Sequence, residues 1–79
     1  MRAEEFRKQH LELDGWTVYI TSYRIGSQYL AEVEDVSSGV TIARGTDDAR
    51  SEAEERAIET ALRRLNRTRR IDLDLTVGG

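Results

Sequence analysis

The 79-residue chain contains no cysteine and no proline, and only one each of histidine, methionine, tryptophan and phenylalanine. Without cysteine it has no disulfide staple and no thiolate metal site, so a secreted disulfide scaffold gains no support. Long apolar runs are missing too. Nothing has the length of a signal peptide or a membrane span, and the start, Met1-Arg2-Ala3-Glu4-Glu5-Phe6, is charged and mixed. The default expectation is a cytoplasmic protein with no membrane contact. Asn66-Arg67-Thr68 matches a glycosylation acceptor, but with no signal peptide it reads as a chance tripeptide.

What is present makes one α+β domain over residues 1–79. A chain this short buries only about 60–65% of the surface its unfolded form exposes. Leu, Ile, Val and Phe make up eighteen residues, just above the level of roughly 20% below which disorder is the better reading. The expectation is a folded domain with a thin core, which association with another chain would thicken.

The net charge of −3 is unevenly spread. Residues 1–44 carry a net −2, residues 45–62 a net −4, and residues 63–79 a net +3. An acidic stretch is followed at once by an arginine-rich one.

Hydrophobic periodicity gives the element order. Arg2 to Leu13 reads as a short N-terminal helix, with Ala3, Phe6, His10 and Leu13 at helical spacing and Glu4 and Glu5 near its positive end. A rival reading makes the same segment a strand ending in an Asp14-Gly15 hairpin turn, with Leu11 and Leu13 paired across to Trp16 and Val18. Trp16 to Tyr23 alternates as a strand, with Trp16, Val18 and Ile20 on one face and Thr17, Tyr19 and Thr21 on the other. Gln28 to Val36 is a second strand, with Tyr29, Ala31 and Val33 on the core face. Val40 to Arg44 is a third, with Val40 and Ile42 inward. Short turns at Arg24–Ser27 and Ser37–Gly39 make these an antiparallel meander. A helix follows the capping candidates Thr46, Asp47 and Asp48, and Ser51 with Glu54 offers a further capping box. Ala53, Ala57, Ile58, Ala61, Leu62 and Leu65 form its apolar stripe, whose alanines let it lie close to a sheet. Glu52–Arg56 and Glu59–Arg63 are spaced as i,i+4 ion pairs. Ile71 to Val77 alternates strictly and predicts a fourth, C-terminal strand, with Asp72 and Asp74 discouraging stray edge pairing.

The chemistry-bearing residues are few. His10 is the only histidine, with no nucleophile elbow near it, so no catalytic residue is assigned. Asp72 and Asp74 have no companion ligand, and Asp47-Asp48 lacks the calcium-loop pattern, so neither a metal nor a cofactor is expected. Gly45-Thr46-Asp47-Asp48 puts carboxylates where a phosphate would sit at the helix start. The strongest functional signal is the cluster Arg63, Arg64, Arg67, Arg69 and Arg70. It suits nucleic-acid phosphates, or an acidic protein surface such as Glu52-Ala53-Glu54-Glu55 of a second copy. It also suits the plain role of cations at a helix C-terminus. The sheet edge and the Ile71–Val77 strand, with Ile71, Leu73 and Leu75 on one face, offer strand addition. Together these point to a non-catalytic protein-interaction module that self-associates, with nucleic-acid binding through the arginines as the alternative.

Two families share this pattern. The strand–strand–strand–helix order followed by a strand resembles the small domain of HicB-type antitoxins over roughly residues 16–77. Tyr29-Leu30-Ala31-Glu32-Val33-Glu34-Asp35 resembles that family's second strand, and Ser51-Glu52-Ala53 with Ala57 its helix start. Where the family usually has a proline before the Asp35-like position, this chain has Glu34. The alanine-faced helix also resembles the last helix of the double-stranded-RNA-binding domain. The phosphate-gripping lysines of that family would fall on Arg50, Ser51 and Glu54, of which only Arg50 is basic. Both resemblances imply the same architecture, an alanine-faced helix on a curled antiparallel sheet, and a shared fold does not by itself carry function.

Overall fold

The structure, a computed structural model, describes the backbone of residues 3–78 and the side chains of residues 3–67. Four strands precede one helix: β1 (Ala3–Leu13), β2 (Trp16–Ile25), β3 (Gln28–Asp35), β4 (Thr41–Asp47) and α1 (Arg50–Gly78). The strands form a single antiparallel sheet in the order β1-β2-β3-β4. The small α+β class therefore stands, but both ends of the expected architecture are corrected.

The N-terminal helix expected over residues 2–13 is strand β1 from Ala3 onwards; Met1 and Arg2 lie outside the described residues. The reason is the two-residue loop Asp14-Gly15. Both residues adopt positive φ, 52° and 86°, as a type I′ hairpin turn requires. That turn pairs Leu13 with Trp16 and Leu11 with Val18. A lone helix of about twelve residues is marginal in water, whereas β2 offers a ready partner.

The fourth strand expected over Ile71–Val77 is helix, because α1 runs unbroken from Arg50 to Gly78. Alternation alone does not make a strand, since strand preference depends on a neighbour to pair with. Once nucleated, a helix extends at little cost, and between Gly45 and Gly78 the sequence has neither a glycine nor a proline to stop it.

The core lies between one sheet face and the helix. Val18, Ile20, Ala31, Val33 and Ala43 meet Ala53, Ala57 and Ala61, all at 2% exposure or less. Leu11, Leu13, Trp16, Tyr29, Ile42 and Ile58 pack around this centre, half-buried. On β4 the inward position is Ala43, not Val40, which is 60% exposed in the turn before the strand. A bulge between Val33 and Glu34 pairs Val33 with Ala43 but Glu34 with Thr41, and so resets the strand's facing.

Gly45 is the sheet's counterpart to the alanine stripe. A Cβ there would lie 2.6 Å from the Ala53 carbonyl oxygen and 2.8 Å from the Ala57 nitrogen. Helix backbone sits directly on strand backbone at this point, which only a glycine facing small residues allows. The helix packs mainly on β4 and β3 and less on β2. It leaves β1 largely uncovered.

Candidate interaction surfaces

At the helix start, a polar cluster ties α1 to the first two strands. Ser22, fully buried, follows Val18 and Ile20 on the helix-facing side of β2. Its hydroxyl donates to Glu54 Oε2 at 2.7 Å and accepts from Arg50 Nη1 at 2.9 Å. Arg50 also donates to the Glu5 carbonyl and lies 5.0 Å over the Tyr29 ring. Glu5 has φ 57°, and the β1–β2 register shifts between Glu4 and Arg7. Arg50 therefore fastens a bulge in β1 to the helix. Arg24 joins the cluster through Glu4 at 2.6 Å and Glu5 at 2.8 Å. The hydrogen bond to Glu4, then the charge of Glu5, push its guanidinium pKa up. Because every buried side-chain polar atom among the described residues has a partner, this cluster reads as a structural clamp.

These pairings displace several that local spacing favours. Glu54 bonds to Ser22 rather than closing a capping box with Ser51. Arg56 pairs with Asp47 at 3.1 Å, and Arg63 donates to Thr60 Oγ1 at 3.3 Å. Asp47 accepts from the Ala49 N–H at 3.3 Å, an Asx turn that leads into the helix. Among the described residues no three His, Cys, Asp or Glu side chains gather as a metal site, and no helix is long and apolar enough to cross a membrane.

Of the arginine cluster, three side chains fall within the described residues. Arg63, Arg64 and Arg67 are exposed on α1. Arg64 bends back to donate to the Ile42 carbonyl on β4, while Arg63 is engaged with Thr60. Arg69, Arg70, Ile71, Leu73 and Leu75 belong to the helix backbone, and their side chains lie outside the described residues. Strand addition through residues 71–77 is excluded by their being helical.

Two surfaces escaped sequence reading. One is the sheet face opposite the helix. There Phe6, 66% exposed, stacks on Tyr23 with ring centroids 5.0 Å apart. His10 stacks on Tyr19 at 4.3 Å, with the Lys8 ammonium 4.3 Å from the same ring. The Tyr23 hydroxyl donates to Glu32; burial first, then the charge and hydrogen bond of Glu32, push its pKa up, so it stays a neutral donor. These rings pair across β1 and β2, and they are on one face only because β1 is a strand.

The other surface is the free edge of β1. A two-residue loop closes on a hydrogen-bonded pair, here Leu13–Trp16, and such pairs alternate along an antiparallel ladder. With Leu13, Leu11, Gln9 and Arg7 bonded to β2, the backbone N–H and C=O of Lys8, His10 and Glu12 point away from the sheet. The register from Arg7–Ser22 to Leu13–Trp16 is unbroken. An Asp-Gly dipeptide between alternating segments is the signal that locates this edge.

Compared with known proteins, the chain matches no family model, no curated protein and no solved structure.

Proposed function

We propose that the protein is a non-catalytic protein-interaction module that works by strand addition at the edge of β1. The observation carrying this reading is a regular stretch, residues 7–13, at one end of the sheet, largely uncovered by the helix. Its outward backbone groups are a template for another strand. Natural sheets blunt such edges with bulges and charges. In β1 the bulge lies at one end, between Glu4 and Arg7, and leaves the rest of the strand regular.

The test is a His10→Pro variant. Proline at an outward-pointing position removes an edge donor and obstructs an added strand, yet costs no bond to β2. Wild type and variant, each checked for intact fold by circular dichroism, are compared by sedimentation and by capture from cell lysate. Association present in the wild type and lost in the variant supports the reading. If the wild type neither self-associates nor captures any protein that the variant misses, the reading falls.

A further inference from the structure

Resting on that reading, we infer that the strand added to β1 is β1 of a second copy, in one register, with His10 on the two-fold axis. A two-fold interface sets the same surface against itself. Antiparallel pairing must also match outward backbone groups with outward groups, so Lys8, His10 and Glu12 of one copy face members of the same set in the other.

Charge and length select among the registers this permits. Pairing centred on Lys8 sets Lys8 against Lys8 and Glu12 against Glu4. Centred on Gln9, it sets Lys8 against His10. Centred on His10, it sets Lys8 opposite Glu12 twice, by symmetry, and overlaps the whole regular stretch from Arg7 to Leu13. Centring on Leu11 also brings opposite charges together, Lys8 with Asp14. It shortens the paired strand to residues 9–13 and places Lys8 against the turn, where Asp14 has φ 52°. The His10-centred register is the longest of the complementary ones. It exchanges backbone bonds at three pairs, Lys8–Glu12, His10–His10 and Glu12–Lys8.

The helix side of the same register fits. Gln9, Leu11 and Leu13 point to the face that α1 leaves largely open beside β1, where Leu11 and Leu13 are half-buried. Leu11 of each copy becomes a diagonal neighbour of the other across the axis, within side-chain reach. The dimer thereby continues the apolar layer of one sheet into the next, and the paired sheet has eight strands. The bulge fastened by Arg50 to Glu5 ends the pairing beyond Arg7 and fixes its extent.

Reciprocal charge exchange tests the register. Lys8→Glu and Glu12→Lys each replace two attractive cross-strand pairs by two repulsive ones, and each is expected to weaken dimerisation about tenfold. The double variant Lys8→Glu with Glu12→Lys restores the pairs and recovers the dimer. In the Leu11-centred register the double variant would set the glutamate introduced at position 8 against Asp14 and recover nothing. A second measurement is independent of charge. The chain has no cysteine, so His10→Cys introduces a single thiol. At a hydrogen-bonded pair the two Cα atoms lie about 5.5 Å apart, within disulfide range, and mild oxidation should give a covalent dimer. A dimer insensitive to both single exchanges, or one not recovered by the double variant and not cross-linked through position 10, overturns the register. A wild type that stays monomeric at tens of micromolar overturns the second copy as partner; if its lysate capture is still lost in His10→Pro, the interaction reading survives with another protein as partner.

Discussion

Single side chains decide this fold where space is shortest. Gly45, Ala53 and Ala57 let helix and strand backbones approach, and the closest atoms a new Cβ would strike at Gly45 are main-chain atoms, which cannot swing aside. Gly45→Ala is therefore expected to lower stability by about 1–3 kcal/mol, read as a lower thermal midpoint. Ala57→Leu, on the opposite wall at 0% exposure, should cost a similar about 1–3 kcal/mol. A variant at either position that melts like the parent would show that the helix does not lie on β4. Ser22 is the polar counterpart. Its hydroxyl is the buried link between Glu54 and Arg50, so Ser22→Ala should cost about 1.5–3 kcal/mol, as for hydrogen bonds to charged groups. The reading of alanines as contact residues was available from their spacing. The need for glycine at position 45 was not, because it arises from a helix segment eight and more residues further along the chain.

At the scale of elements, two stretches of sequence carry opposite lessons. Asp14-Gly15 is a strong local signal, and with β2 as the partner it makes Ala3–Leu13 a strand. Gly15 sits at φ 86°, a region that disfavours any Cβ, so Gly15→Ala should destabilise by about 1–2 kcal/mol. Asp14→Asn, by contrast, leaves the turn's backbone unstrained, since asparagine tolerates the left-handed region at least as well. Equilibrium unfolding of the pair measures the difference. At the other end, nothing in Asn66–Arg70 interrupts a helix, and the alternation of Ile71 to Val77 had no partner strand to satisfy it. Cα chemical shifts across residues 66–78 are expected to show helical displacement; extended-chain values would return this segment to a strand.

For the molecule as a whole, acid sensitivity follows from two turn carboxylates. The Ser38 hydroxyl first, with Ser37 beside it, holds Asp35 below its ordinary pKa. The Ala49 N–H first, then Arg56, holds Asp47 below its own. The unfolded chain therefore takes up protons at these positions at higher pH than the folded chain. The stabilisation is fully present above the ordinary carboxylate value of 3.8. It is lost as pH falls through the lower folded values. Urea midpoints should hold steady down to that range and then decline, and Asp35→Asn with Asp47→Asn should flatten the decline. Both groups are half-buried at the protein surface, where solvent still screens them, so the effect is a modest slope rather than a collapse.

The sequence alone determined whatever depends on near neighbours. Period-two alternation marked three strands, and the three- and four-residue spacing of Ala53, Ala57 and Ala61 marked the helix face. Cysteine absence removed disulfides and thiolate sites. Tertiary structure decided whatever depends on distant partners. Residues 3–13 are a strand because β2 is there to pair with, and residues 71–77 are helix because no strand is. Arg50 and Glu54 bond to Ser22 and Glu5 across the fold rather than to neighbours one helical turn away. The candidate site moved for the same reason. The arginines stand out in composition, but the free backbone edge of Lys8, His10 and Glu12 exists only once β1 has been laid against β2, because outward-pointing amides are set by strand pairing and not by residue type.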